Sequence, residues 1–264
     1  MHRRHFIKTG LLVTGNLVLL TGAIAQILNI NDAINKSGRQ RMLSQRLAKA
    51  YLQLGQGIDA ERSKKVLENS VTMFEAQLTE LKAYAPTPDN RQILSEMEKA
   101  WASYKQVLAG NTPNQEGARN IMVMNEDILS MAQTATVQLE KYSGTNSGQW
   151  VNVSGRQRML SQRMAKFYQA MQWGVAPPDA LAKLELARKD FVAGMSTLQN
   201  APVNTQKIRD ELALAQQQWM FFDSALRQMN DAKNSKLFAT NVATTSERIL
   251  TVMDGITGLY QQLS

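Results

Sequence analysis

SGRQRMLSQR occupies Ser37–Arg46 and recurs letter for letter at Ser154–Arg163. A ten-residue identity inside one chain of 264 residues marks a duplication with an offset of 117 residues. The same offset carries Ala48, Lys49 and Tyr51 onto Ala165, Lys166 and Tyr168, and Phe74 and Leu81 onto Phe191 and Leu198. Trp101 meets Trp219 after one added residue, and Glu126-Asp127-Ile128-Leu129 meets Glu247-Arg248-Ile249-Leu250 further on.

All six prolines fall in short breaker clusters: APTPDN, GNTPNQEG, GVAPPD and NAPVN. Between them run segments rich in Ala, Leu, Met, Gln, Glu and Lys, all strong helix formers, without sustained Val/Ile/Thr alternation. The pattern predicts eight helices, at 28–54, 60–84, 90–109, 117–142, 150–173, 179–199, 204–230 and 236–262. The fold expected is all-α: two tandem antiparallel four-helix bundles, 26–142 and 149–264, joined by the linker SGTNSG at 143–148. Short loops favour antiparallel neighbours, and the two bundles form an intrachain pseudo-dimer.

On a helix through 34–54, Leu43, Leu47, Ala50 and Leu54 make one apolar seam, suited to the interior of its own bundle. A second seam runs Ile34, Ser37, Arg41, Ser44, Ala48, Tyr51; its copy is Val151, Ser154, Arg158, Ser161, Ala165, Tyr168. Small residues at core spacing let helices approach closely, so each half offers a surface for the other half's copy. Pairing the copies sets Arg41 opposite Arg158. No Asp or Glu lies between 33 and 58 or between 150 and 178 to neutralise them. Two readings stand at this point. Helical arginines commonly snorkel to solvent; alternatively, a planar, always-charged guanidinium pair is matched to a planar oxyanion. Arg39 and Arg46, with Arg156 and Arg163 in the copy, lie on another side and supplement the site's charge or make outward contacts.

Composition narrows the chemistry. The chain has no cysteine, and its only histidines are His2 and His5. That excludes Cys/His zinc sites, iron–sulfur clusters, disulfides and catalysis by a His base or Cys nucleophile in the body of the chain. No enzyme activity, metal or cofactor is expected. Beyond residue 25, 27 basic residues face 22 acidic ones, a balance that suits a small anion and is too thin for a nucleic-acid groove. Glu126-Asp127 and Asp210-Glu211 are adjacent acid pairs that diverge on a helix and are read as solvated faces. The four tryptophans are read as core or inter-bundle packing.

Residues 1–25 read as an export signal. Arg3-Arg4-His5-Phe6-Ile7-Lys8 resembles a twin-arginine signal, Gly10–Ala25 is apolar, and Ala23-Ile24-Ala25 fits the cleavage pattern, giving Gln26 as the mature start. The competing reading is an uncleaved anchor from Leu11 to about Ile30. Either way the body is expected in the periplasm.

INKSGRQRMLSQRL (34–47) resembles the P-box of the periplasmic sensor domain of nitrate/nitrite sensor kinases. It also resembles the N-terminal domain of the type IV pilus methyl-accepting chemotaxis transducer, the PilJ type. The shared pattern is Gly38, Arg41, Met42, Ser44, Arg46 and again Gly155, Arg158, Met159, Ser161, Arg163. In the nitrate-sensor family the domain is a dimerising four-helix bundle with nitrate between the paired first helices, contacted by the arginine of the Arg-Met pair. The resemblance therefore implies Arg41 and Arg158 as ligand-binding residues. Ser37, Ser44, Ser154, Ser161, Gly38 and Gly155 would line the site, with Arg39, Arg46, Arg156 and Arg163 supporting it. The sequence lies closer to the pilus-transducer version, with Arg39-Gln40 and Leu43, and no transmitter region is expected after the second unit. It is expected to bind or sense a small inorganic anion, nitrate or nitrite foremost, and to need a membrane signalling partner. The alternative is a helical interaction module that docks to a membrane transducer or pilus component.

Overall fold

Polar caps begin several of the helices. Asn29, Asn114, Thr145 and Thr205 each accept a hydrogen bond from the backbone N–H three residues on, at Asp32, Gly117, Gly148 and Ile208, which satisfies a donor that the first turn leaves unpaired. Pro88 takes the first position of its helix, where a missing N–H costs nothing. The computed structural model describes residues 26–110, 112–228 and 235–263. Among these residues are eight helices and no strand: α1 Ile30–Gly55, α2 Ala60–Tyr84, α3 Pro88–Gly110, α4 Gln115–Ser143, α5 Asn146–Gln172, α6 Ala180–Gln199, α7 Gln206–Arg227 and α8 Ser235–Gln261. The export signal expected at 1–25 lies outside the described residues, as does the end expected for the seventh helix.

The linker is far shorter than expected. Of SGTNSG, only Gly144 and Thr145 stand between helices. Gly144 adopts a left-handed conformation (φ 59°) that ends α4, and Thr145 immediately caps α5. The adjacent stop and start signals leave no free tether, and α5 begins four residues earlier than the sequence pattern predicted.

Two four-helix bundles result. In the first, α1 packs on α2 and α4, α4 on α3, and α2 closes against α3; in the second, α5, α6, α7 and α8 repeat that arrangement. The repeat extends to the aromatic cores. Phe74 stacks on Trp101 at 4.0 Å with Tyr104 edge-on, and Phe191 stacks on Trp219 at 4.5 Å with Phe222 edge-on.

The bundles join through α1 and α5, the most extensive helix pairing in the molecule. The two run parallel. Asn31 Nδ2 donates to Ser147 Oγ near the N-terminal ends, and Gln56 Nε2 donates to Gln169 O near the C-terminal ends. Close approach needs missing side chains: a Cβ on Gly55 would come within 2.0 Å of the Trp173 ring. Buried on nearly every side, α1 and α5 form the spine of the pseudo-dimer.

Candidate functional site

The duplicated motif places two guanidinium groups at the middle of that spine. Arg41 and Arg158 are both 0 % exposed. A Cβ on Gly38 would lie 3.0 Å from Arg41 Nη2 and 3.7 Å from Arg158 Nη2, and one on Gly155 would lie 3.1 Å from Arg158 Nη2 and 3.6 Å from Arg41 Nη2. Both guanidinium tips therefore rest against the same pair of glycines. Their outer bonds are reciprocal: Arg41 Nη2 donates to Asn152 O at 3.4 Å and Arg158 Nη2 to Asn35 O at 3.2 Å, each reaching the other repeat at equivalent residues.

The symmetry breaks at one point. Arg41 Nη1 donates to Gln133 Oε1 at 2.7 Å, whereas Arg158 Nη1 pairs with the carboxylate of Asp254. Gln133 and Asp254 occupy matching positions on α4 and α8. Asp254 is itself shared with Arg39, at 2.7 Å. Two arginines thus share one carboxylate, and Arg41 contacts only neutral acceptors. The Nε of both Arg41 and Arg158 is buried with no hydrogen-bond partner. Burial pushes Arg41 down to about 9, with Arg158 and Arg156 adding repulsion. Burial and Arg39 lower Arg158 to about 10, partly countered by Asp254.

The expected serines lie in the buried seam, but their hydroxyls are committed elsewhere. Ser44 donates to Arg41 O, Ser161 to Arg158 O and Ser154 to Trp150 O. Ser37 donates to Thr136, because the single Thr136 proton goes to Ala132 O. The glycines, not the serines, lie against the guanidinium tips.

The four supporting arginines are all paired. Arg39 binds Asp254, Arg46 binds Glu247, Arg156 binds Asp190 and Arg163 binds Glu126. Three of these pairs cross between repeats, so the acids missing from the motif helices arrive from α4 and α8. Glu126, expected on a solvated face, is instead tied to Arg163 and to the fully buried Lys166. Lys49 and Lys166 join the site although neither lies on the arginine seam. Lys49 pairs with Glu247 and bonds Ser246; Lys166 pairs with Glu126 and bonds Asn125. The signal was present, since a lysine at 49/166 and a glutamate at 126/247 are both duplicated. Burial lowers Lys166 to about 7 and Lys49 to about 8.

Residues 23–136 and 143–245 each match the family of the type IV pili methyl-accepting chemotaxis transducer N-terminal domain, PilJ. The chain belongs to the PilJ family. Its two PilJ segments follow the two bundles, so the duplication seen in the motif is a duplication of whole family units. PilJ units are sensory or interaction modules of signalling transducers, not catalytic domains. No characterised protein and no solved structure gives a match. Among the described residues of this PilJ chain no helix is long and apolar enough to cross a membrane, and no cluster of His, Cys, Asp or Glu could hold a metal ion.

Proposed function

We propose that this chain is an exported sensor module that binds one small planar oxyanion, of the nitrate or nitrite kind, between Arg41 and Arg158. One observation carries the reading: two fully buried guanidinium groups from different repeats meet against Gly38 and Gly155, and Arg41 has no carboxylate opposite it. Unpaired buried cations are costly, and a shared anion would relieve both the desolvation and the repulsion. Guanidinium presents donors in a plane that suits a trigonal oxyanion, and each arginine holds an unused Nε–H. Arg39 supplements the field. Occupancy would tighten α1 against α5, and that packing is what a membrane signalling partner would read.

Thermal melting in nitrate, nitrite, sulfate and chloride at equal ionic strength tests the reading. A ligand bound only to the native state raises its stability with concentration. Nitrate or nitrite is expected to raise the melting temperature beyond chloride. Equal responses to all four salts would leave the arginines as packing elements and the chain as an interaction module.

A further inference from the structure

Duplication should build two equivalent grooves, one flanking each motif helix. The groove beside α1, between α8 and α2, is laced shut. Arg46 binds Glu247 on α8 and also Ser70 on α2, while Arg39 reaches Asp254 on α8. At the positions equivalent to Ser70 and Asp254 the other groove has Ala187 and Gln133. Ala187 offers Arg163 no acceptor, and Arg163 stays with Glu126 and Gln45. Arg156 turns away from α4 to Asp190 on α6, at 2.7 Å. With both lacing bonds missing, a cleft of about 420 Å³ stands open between α4, α5 and α6.

We propose that this cleft is a second ligand site, for a small organic monocarboxylate with an apolar body. Leu129, Met159 and Leu186 supply apolar wall, and Leu186 is 59 % exposed with nothing over it. The carboxylate end is met by Arg156, whose pairing with Asp190 is half-exposed and readily exchanged for a ligand's. Gln133 adds a second donor: its Oε1 is taken by Arg41, which leaves its side-chain N–H₂ at the cleft. The volume matches small-molecule sites, and the lining also carries the basic Lys183 and Glu126, the latter already paired with Arg163. Because Gln133 touches both the cleft and Arg41, a bound carboxylate would sit one hydrogen bond from the buried arginine pair. The site itself stands whether or not an anion binds between those arginines.

Calorimetry on the full chain with benzoate, and with benzamide as the uncharged control, tests this. One benzoate per chain is expected, with an affinity on the order of a millimolar and at least about tenfold weaker benzamide binding. Arg156→Gln removes the anchor and Leu186→Asp places a negative charge at the wall; each should weaken benzoate about tenfold or more. Both side chains are well exposed, so both variants should fold, and the nitrate response of Leu186→Asp should match the parent's. Benzoate binding unchanged in the two variants, or absent in the parent, would overturn the proposal. So would concentration-dependent self-association that Leu186→Asp abolishes, because the cleft would then be an interface between copies of this chain.

Discussion

Lys166 of the second repeat is bound to Glu126 of the first, Nζ to Oε1 at 2.6 Å. Its repeat counterpart Lys49 crosses the opposite way to Glu247 at 2.5 Å. Each bundle thus supplies the acid for the other's buried lysine, and the α1–α5 junction is fastened by two exchanged ion pairs.

The two members of a pair should differ when removed. Glu126→Gln removes the carboxylate that holds the proton on Lys166 at 0 % exposure, and leaving a buried lysine without its acid, as an unpaired charge or by loss of its proton, costs about 3–5 kcal/mol. Lys166→Met fills the same space without charge and leaves Glu126 with Arg163, so its cost should stay below about 1 kcal/mol. Urea unfolding of both variants decides it. Equal losses would mean that the lysine is not the strained partner.

Stability should depend on pH with a defined sign. Burial alone would raise the Glu126 and Glu247 carboxyls, but the buried lysines and the Arg163 and Arg46 hydrogen bonds hold both down at about 2. Such groups stabilise the fold above their unfolded value near 4.5, and that contribution disappears as the pH falls toward 2. For the well-buried Glu247 this is on the order of 2–3 kcal/mol, lost between about pH 5 and 2. At the other end, Lys166 and Lys49 sit at about 7 and 8, below the usual 10.5. The unfolded chain then binds more protons across that window, so stability should rise with pH from about 7 to 10. Unfolding curves across pH check both arms. Lys166→Met should flatten the alkaline arm and leave most of the acid one.

The arginine pair predicts an asymmetry. Arg41 has neutral acceptors and a cationic neighbour, so Arg41→Met should stabilise the ligand-free protein by about 1 kcal/mol. Arg158→Met takes a partner from Asp254 and should bring no comparable gain. Matched thermal melts without added oxyanion measure the difference. A loss above about 2 kcal/mol in Arg41→Met would show that Arg41 is structurally satisfied as it stands.

The motif helices, the repeat and their pairing were legible because three local signals agree: proline clusters, strong helix formers and an exact internal identity. What the sequence hid lies across the chain. Asp254 neutralises Arg158 from 96 residues away, and Glu126 and Glu247 reach the opposite repeat. An acid on a helix far from its partner looks like a solvated face unless the packing partner is known. The serines show the complementary limit. Seam spacing places them in the interior, but it cannot say that Ser37 turns to Thr136 or that the guanidinium tips rest against Gly38 and Gly155.

Stoichiometry separates this chain from a single-unit sensor. A homodimer of one-motif chains shares one anion between two polypeptides, half a ligand per chain. Here α1 and α5 supply Arg41 and Arg158 from one polypeptide, and Gly144 and Thr145 alone separate α4 from α5. The proposed site is therefore complete in a monomer, and the second half is held at high effective concentration instead of being lost on dilution. One anion per chain is the expected calorimetric result. Nitrate has four heavy atoms, and at a ceiling of roughly 1.5 kcal/mol per atom its affinity is bounded near tens of micromolar. Each arginine contributes half of one site, so Arg41→Ala or Arg158→Ala should cost at least about tenfold, a charge-assisted hydrogen bond being worth about 1.5–3 kcal/mol. Two independent sites per chain, nanomolar nitrate, or an Arg158→Ala variant that binds as tightly as the parent would each remove the shared site.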